Sequence, residues 1–249
     1  MGKIIAIGGG EIGRPGYPVE TTKIDKEIIS LAGKKHPKFL FIPTASNDSE
    51  LYVKTVHKYF GKRLGCKVST LCLVNNPPSF EQIKSIILGS DIIYVGGGNT
   101  LKMLKLWRKL KVDKVLAEAY RRGIVLSGVS AGAICWFRFG SSDLGKIKNG
   151  GNANYKRIRG LGLLNFTASP HHTREKGRKG VLVKIMGKTP GMGLAIDDCA
   201  ALEVVGGKYR VIISKANSKI HKVYIKKGKL NYQLVKISKK FEPLVKIFY

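Results

Sequence analysis

The chain has 249 residues, of which 43% are hydrophobic, and this suffices to bury the core of one large domain or of two small ones. No apolar run is long enough to cross a bilayer, and the apolar segment before Gly8 is too short for a signal peptide, so we expect a cytoplasmic protein without a membrane partner. The 45 Lys and Arg residues outnumber the 16 Asp and Glu residues and give a net charge of +29. Because these charges are spread along the whole chain without a nucleic-acid-binding motif, we expect a solvated basic surface that attracts polyanions nonspecifically.

The four cysteines lie in apolar or small-residue settings, and none forms a C-x-x-C pair. This distribution predicts buried, reduced thiols rather than disulfides or a metal site. The residues are Cys66, Cys72, Cys135 and Cys199.

Short apolar segments alternate with amphipathic segments through the first half of the chain, which is the pattern of strands followed by helices. Ser79, with Gln82 three residues later, has the spacing of a capping box at the start of a helix. Strands this apolar predict a parallel sheet with helices on both faces, and such sheets bind ligands at the carboxyl ends of their strands. The predicted strands are 3–7, 38–43, 67–74, 91–95 and 124–127, and the predicted helices are 25–32, 50–64, one from residue 79, and two stretches within 101–122.

The composition changes in the second half of the chain. Residues 140–160 are rich in Gly, Ser, Asn and Lys and predict a long loop. A helix is predicted over 175–186, and the β-rich pattern from Gly193 onward includes a hairpin signal at Gly228. Because we find no internal repeat and no linker, we expect a single domain over 1–249, with a core to about residue 215 and a hairpin-like extension over 216–249.

The segment Gly128-Val129-Ser130-Ala131-Gly132 has the G-x-S-x-G pattern of a serine nucleophile on a sharp turn between a strand and a helix. The pattern alone is weak, because glycine and serine are common in loops, and the alternative is a purely structural turn. Its context favours a nucleophile, since a buried strand is predicted before it and an apolar helical segment, AICWF, after it.

A nucleophilic serine needs a base. His171 and His172 follow Pro170 downstream of the serine, whereas the other three histidines lie in a polar turn, in a lysine-bearing helix and at the start of a basic strand. The alternatives are a surface histidine pair or a metal site, but no carboxylate or cysteine lies at ligand spacing near the pair. We therefore expect this pair to supply the base.

The base in turn needs an orienting carboxylate. Asp197 and Asp198 end an apolar segment in a chain that is poor in acids, which favours a functional role over two strand-end surface acids. The resulting order of serine, histidine and aspartate differs from chymotrypsin and from the usual α/β-hydrolases.

The glycine-rich turn at 96–100 follows a predicted strand and is placed to supply an oxyanion hole. The peptide N–H groups of Gly98 and Ala131 would form the donor pair. The alternatives are a phosphate-binding loop or a simple turn. A different glycine pattern, G-x-G-x-x-G from Gly8, lacks the helix and the acid that a dinucleotide site requires, so we expect no dinucleotide there.

Five ordered segments, spread over most of the first 215 residues, are together more specific than any one motif. They are IPTAS at 42–46, YVGGGNT at 94–100, GVSAGAICWF at 128–137, SPHH at 169–172 and GLAIDDCAAL at 193–202. As a set they resemble peptidase family S51, the dipeptidase E (aspartyl dipeptidase) family with its cyanophycinase relatives. The resemblance implies a flavodoxin-like α/β fold of the class I glutamine amidotransferase type, a three-layer sandwich with a mostly parallel sheet and a β-rich C-terminal extension. It also implies a site that needs neither a metal nor a cofactor.

The resemblance implies a role for each matching residue: nucleophile Ser130, base His171, acid Asp198 or its neighbour Asp197, oxyanion-hole donors Gly98 and Ala131, and substrate-binding residues Asn99 and Thr100. His172 and Thr173 stand where the family typically has tyrosine and aspartate, which leaves specificity open and keeps His172 as a secondary candidate. The acid is aspartate here, where the best-known members have glutamate.

These observations predict a serine-type peptidase that hydrolyses short peptides, with Asp-X dipeptides as candidate substrates and either a monomer or a dimer as the assembly. A cationic mouth built by segment 140–160 would attract an acidic N-terminal residue. Two alternatives stay open: an isoaspartyl or cyanophycin-type peptidase with the same site, and a non-catalytic module of the same fold that binds nucleic acid or an acidic partner. The basic residues of that segment are Lys146, Lys148, Lys156, Arg157 and Arg159.

Overall fold

The structure is a computed structural model that describes residues 1–143, 155–175, 177–188 and 191–248, arranged as two β-sheets with covering helices. The strands are β1 (Lys3–Ile7), β2 (Lys38–Ile42), β3 (Lys67–Thr70), β4 (Ile92–Val95), β5 (Val125–Val129), β6 (Phe137–Asp143), β7 (Tyr155–Arg159), β8 (Leu164–Ser169), β9 (Gly193–Ile196), β10 (Ala200–Val205), β11 (Lys208–Ile213), β12 (Ile220–Lys226), β13 (Lys229–Leu234) and β14 (Glu242–Pro243). The helices are α1 (Thr22–Leu31), α2 (Glu50–Val56), α3 (Phe80–Leu88), α4 (Thr100–Lys109), α5 (Val112–Arg121), α6 (Ala131–Ile134) and α7 (Arg178–Gly187). Across these ranges, no helix is both long and apolar enough to cross a membrane.

The larger sheet has eight strands in the order β14-β11-β10-β1-β5-β4-β2-β3. Neighbouring strands are parallel along the series β1, β5, β4, β2 and β3. At the other edge of the sheet, β10, β11 and β14 pair antiparallel. Parallel neighbours require crossover connections, and the helices between the strands provide them. The predicted fold class, a mostly parallel α/β sandwich, is therefore confirmed.

Alternate side chains of the parallel strands enter two different cores. On β1, Ile4 and Ala6 pack in a core with residues of α3, α4 and α5. Ile5 and Ile7 point the other way and pack with residues of α1 and of the π-helical segment His57–Arg63 that continues α2. Burial on both faces explains why these strands are continuously apolar. Because β1, β5 and β4 are parallel neighbours, their carboxyl ends lie together at one edge of the larger sheet.

The smaller sheet has six strands in the order β13-β12-β9-β8-β6-β7. The prediction of a long loop over 140–160 is wrong at both ends, because β6 and β7 pair antiparallel there. Strand β7 lies at the edge of the smaller sheet, where polar and basic side chains are typical. With this composition the segment lacks the apolar pattern from which a strand is predicted. The predicted hairpin at Gly228 is confirmed, and it joins β12 to β13.

Several predicted boundaries shift in the structure. Strand β3 ends at Thr70 instead of Val74, because the N–H groups of Leu73 and Val74 donate to the Asp48 carboxylate rather than to a neighbouring strand. The predicted capping box at Ser79 is present, with both of its hydrogen bonds.

The cysteine prediction holds at three of four positions. Cys66, Cys135 and Cys199 are buried free thiols, whereas Cys72 is exposed. Cys72 lies in the irregular segment just beyond β3, which is an edge strand and has no neighbour to cover that side chain.

Candidate active site

Ser130 stands between β5 and α6, at the carboxyl edge of the central strands. Its backbone torsions, φ 56° and ψ −111°, lie in a region that L-residues rarely occupy. The Ser130 N–H donates to the carbonyl of Ile7 at 3.0 Å, and the Ser130 carbonyl accepts from the N–H groups of Ala133 and Ile134. These bonds hold the strained turn in place and fix where the hydroxyl emerges.

Gly128 and Gly132 flank the serine because other backbone atoms approach them closely. A Cβ at Gly132 would lie 2.0 Å from the carbonyl oxygen of Val95, and a Cβ at Gly128 would lie 2.5 Å from the carbonyl oxygen of Gly132. The G-x-S-x-G spacing is thus a packing requirement of the turn. The helix predicted over AICWF is only the four-residue α6, since the chain enters β6 at Phe137.

His171 and Asp198 are in direct contact. Nδ1 of His171 lies 2.5 Å from Oδ1 of Asp198, and Nη1 of Arg174 donates to Oδ2 of the same carboxylate at 2.9 Å. Burial alone would raise the pKa of Asp198, but the hydrogen bonds from His171 and Arg174 outweigh it and hold that pKa below its ordinary value. Asp198 is therefore ionised at neutral pH. With Nδ1 occupied by the carboxylate, Nε2 is the imidazole nitrogen left for another partner.

Gly9, at the carboxyl end of β1, lies directly against this contact. A Cβ at this position would be 2.1 Å from Oδ1 of Asp198 and 2.4 Å from Cε1 of His171. The Gly9 carbonyl also accepts from the N–H of Cys199 at 2.9 Å, which anchors the turn that carries Asp198. Sequence reasoning considered this glycine run only as a dinucleotide pattern and missed its role. A run of three glycines at the end of a buried strand was the available signal.

The turn after β4 brings a second glycine segment beside Ser130. A Cβ on Gly97 would lie 3.5 Å from the Ser130 Cβ. The backbone of Gly97 hydrogen-bonds the Tyr52 hydroxyl. Burial of this hydroxyl raises the pKa of Tyr52 to about 12. Within the described chain, the N–H groups of Gly98 and Ala131 have no acceptor. These two donors are available to a ligand oxygen.

Ser130 and His171 line one cavity of about 380 Å³. The walls come from the loop 10–14, from α2 and from the glycine turn. Arg14, Glu11 and Arg174 add charge to the lining, with Arg14 and Glu11 paired at 2.9 Å. Two arginines against one glutamate make the charge of this lining positive.

The serine hydroxyl and the imidazole share this cavity without a hydrogen bond between them in the described chain. Contacts of this kind are often long in the absence of substrate and tighten when it binds. The structure thus places the two side chains on one cavity, and we expect the hydrogen bond between them to form when substrate binds.

Asn99 and Thr100 are absent from the described lining of the cavity. The side-chain oxygen of Asn99 caps α4 by accepting from the N–H of Lys102 at 2.9 Å. Thr100 is the first residue of α4 and is only 2% exposed. The prediction that these two residues contact substrate receives no support from the lining.

Asp197 and His172, the secondary candidates, point elsewhere. Asp197 is buried, and its Oδ2 accepts from the N–H of Lys219 at 3.1 Å, so it fixes the start of β12. His172 contacts Ser169 through Nδ1 and packs near the ring of Tyr232. Burial lowers the pKa of His172 to about 4, although the charge of Asp197 acts in the opposite direction. Between the two adjacent acids, Asp198 is the one that reaches His171.

The basic segment 140–160 does not supply the charge of the cavity as far as it is described. Lys156, Arg157 and Arg159 lie on β7 or at its end and do not line the cavity, and Lys146 and Lys148 lie outside the described residues. Arg14 and Arg174 supply it instead, and sequence reasoning singled out neither residue. In the described ranges, no cluster of three or more His, Cys, Asp or Glu side chains is suited to hold a metal ion.

Comparison with known proteins places this site in a family. The sequence profile of peptidase family S51 matches residues 4–212, which include the serine turn, the histidine and the aspartate. This chain belongs to peptidase family S51. Among its relatives, the uncharacterized peptidase YgaJ of Bacillus subtilis (strain 168) is 35% identical over 228 residues, covering 90% of this chain and 92% of that protein. Membership of family S51 identifies the chain as a peptidase.

Solved structures agree on the S51 fold. A peptidase from an acI-B1 Actinobacterium superposes with a TM-score of 0.72 at 20% identity and covers 98% of this chain and 97% of its own. A putative peptidase E from Listeria monocytogenes EGD-e superposes with a TM-score of 0.61 at 21% identity, covering 86% and 98%. At such identities the agreement concerns the fold alone.

Proposed function

We propose that this S51 peptidase is a serine peptidase in which Ser130, His171 and Asp198 act together on short peptides. The contact between His171 and an ionised Asp198, in the same cavity as the strained Ser130, is the observation that carries this proposal. An imidazole held through Nδ1 by a carboxylate is oriented to accept a proton at Nε2, and the carboxylate stabilises the resulting imidazolium.

The reaction proceeds through an acyl-enzyme. Oγ of Ser130 attacks the carbonyl carbon of the peptide bond while Nε2 of His171 takes the hydroxyl proton. The tetrahedral oxyanion accepts hydrogen bonds from the N–H groups of Gly98 and Ala131, which have no other acceptor in the described chain. The C–N bond then breaks, and the leaving amine takes the proton from Nε2. Water then attacks the carbonyl carbon of the ester while Nε2 of His171 takes a proton from the water. The bond between that carbon and Oγ of Ser130 breaks, Oγ takes the proton back from Nε2, and the carboxylic acid leaves.

Replacement of Ser130 by alanine tests this function. We expect Ser130→Ala to lose peptide hydrolysis, since the alanine leaves no oxygen to form the ester, while its thermal unfolding stays cooperative. The assay is a panel of dipeptides and blocked peptides, followed by release of free amine. Hydrolysis retained by Ser130→Ala at the wild-type rate would refute the proposal.

We further propose that the enzyme prefers an acidic side chain, as in Asp-X dipeptides, next to the cleaved bond. Arg14 and Arg174 line the cavity and outnumber its one glutamate, Glu11. Arg174 already binds the proposed catalytic residue Asp198, whereas Arg14 pairs with Glu11 and lies over the Tyr17 ring, so Arg14 is the better candidate to meet a substrate carboxylate. A guanidinium suits this task because it binds carboxylates through a planar pair of donors.

Arg14→Gln tests the preference separately from the chemistry. We expect kcat/KM for Asp-X dipeptides to fall about tenfold, as for loss of one charge-assisted hydrogen bond, with Leu-X dipeptides unaffected. Arg121→Gln is the matched control, because Arg121 is exposed and does not line the cavity. Equal losses for both substrate classes would show that Arg14 does not read the acidic group, while leaving the serine mechanism intact.

A further inference from the structure

A second cavity, of about 280 Å³, lies between β11, the β12–β13 hairpin and the C-terminal segment. It shares no lining residue with the cavity that contains Ser130. Three lysines line it: Lys222, Lys236 and Lys246. We refer to it as the lysine cavity. The family profile ends at residue 212, so most of this cavity lies beyond the matched region.

Lys222 is the unusual member of this set. Its side chain belongs to a residue that is only 7% exposed, on a strand paired with β9 on one side and β13 on the other. In the part of the chain that the structure describes, its ammonium group has neither a hydrogen-bond acceptor nor a carboxylate partner. The Nζ itself is not buried, so the aliphatic part of the side chain is covered by the sheet while the charged end opens into the cavity. An anion in the cavity could bind this unpaired charge.

The charge around the cavity specifies the kind of anion. Glu242 also lines it and pairs with Lys246 at 2.6 Å, so three ammonium groups and one carboxylate leave two positive charges. The hydroxyl groups of Tyr209 and Ser238 add neutral donors. Two net positive charges with hydroxyl donors match a small oxyanion that carries two negative charges.

The walls of the lysine cavity are anchored rather than loose. The N–H of Val235 donates to the carbonyl of Ile220 at 2.8 Å, and Arg210 donates to the carbonyl of Lys239 at 3.2 Å. Strand β14 pairs with β11 and so returns the C-terminal segment to the larger sheet. These contacts hold the backbone of the cavity walls in place, so the cavity itself needs little ordering when an anion binds.

We propose that the lysine cavity is a binding site for a phosphate group, present either as inorganic phosphate or as a phosphate monoester. Lys222 is its central ligand, with Lys236 and Lys246 completing the charge. This site is independent of the proposed peptidase chemistry, because it shares no residue with that cavity.

Calorimetric titration of the full-length protein tests the proposal at constant ionic strength, with inorganic phosphate, O-phosphoserine and acetate as separate ligands. We expect both phosphate ligands to bind competitively and acetate not to bind. Lys222→Met should weaken phosphate binding about tenfold or more, as for loss of a charged hydrogen bond. Lys226→Met is the matched control, because Lys226 is an exposed residue of the same strand outside the cavity, and we expect it to bind phosphate as the wild type does.

Folding of Lys222→Met is checked by thermal unfolding without phosphate, where the midpoint should stay close to that of the wild type, because the ammonium group makes no hydrogen bond or ion pair in the described part of the chain. Phosphate should raise the midpoint of the wild type and of Lys226→Met, but not that of Lys222→Met. Tighter binding of O-phosphoserine than of phosphate would support a monoester as the ligand, and the reverse would support free phosphate. Equal phosphate affinity in Lys222→Met and the wild type, or no binding to the wild type, would overturn the proposal.

Discussion

At the position of Gly9, one added methyl group would reach the contact between His171 and Asp198. The side chains of His171 and Asp198, and not the backbone conformation of Gly9, exclude a larger residue at this position. At Gly132 the limit is a backbone atom, the carbonyl oxygen of Val95. Single glycines therefore determine whether the three proposed catalytic residues can occupy their places.

We predict that Gly9→Ala lowers kcat/KM about tenfold or more, because displacement of the His171–Asp198 pair by a fraction of an ångström misplaces the base. Gly180→Ala is the control, since nothing lies within 4 Å of a Cβ at that helical position. Steady-state kinetics of both variants measure the effect. Wild-type kinetics in Gly9→Ala would show that this close approach is unimportant.

Asp25 is a buried acid remote from the proposed catalytic contact. It accepts hydrogen bonds from Thr21 and Tyr59, yet its burial raises its pKa to about 7. A carboxyl group with a raised pKa in the folded state contributes stability that is fully present below its unfolded pKa, near 4. That contribution is lost as the pH rises through 7.

We predict that the free energy of unfolding of the wild type falls between pH 5 and pH 8 relative to that of Asp25→Asn, because only the wild type must ionise a buried group. Urea unfolding at several pH values in this range measures the difference. Parallel pH profiles for the two proteins would contradict the assignment to Asp25.

At the scale of elements, the turn between β4 and α4 separates two interpretations of Asn99. The structure uses the side chain as the N-cap of α4, and the family resemblance predicts a contact with substrate. Loss of an N-cap costs about 1 kcal/mol of stability, whereas loss of a substrate contact changes KM.

We predict that Asn99→Ala loses about 1 kcal/mol in the free energy of unfolding and keeps its KM, and that Asn99→Ser keeps both, because serine also caps helices. Chemical unfolding and dipeptide kinetics on the same samples provide the two readouts. A raised KM with unchanged stability would favour the substrate contact.

Sequence reasoning located the elements whose pattern is local and missed those whose partners are distant. The strands β1, β2, β4 and β5 are apolar because both of their faces are buried, and this can be seen without knowing their neighbours. The edge strand β7 is polar, and only its pairing with β6 reveals it. For the site, the serine turn and the family resemblance led to Ser130, His171 and Asp198. Gly9 and Arg174 were missed because their importance lies in contacts across the fold.

At the scale of the whole molecule, the C-terminal part of the chain contributes strands to both sheets. Strands β12 and β13 extend the smaller sheet, and β14 pairs with β11 of the larger sheet. We propose that residues 1–249 form a single cooperative domain, and we predict one thermal transition by circular dichroism and by calorimetry alike. Two separated transitions would show that the part after residue 215 folds by itself.

The net charge of +29 also acts on the molecule as a whole. Like charges repel in the compact state, and salt screens that repulsion. We predict that the thermal midpoint rises when KCl is increased from low ionic strength, with sucrose as an uncharged cosolute control. A midpoint that falls or stays constant with KCl would show that the paired charges dominate instead.

The proposed nucleophile can be tested most directly by labelling with a fluorophosphonate, which bonds covalently to activated serines. The serine mechanism predicts one phosphonyl group per chain, located by peptide mass spectrometry at Ser130, no label in Ser130→Ala, and slower labelling in His171→Ala. Label on another residue, or equal labelling of wild type and Ser130→Ala, would contradict it.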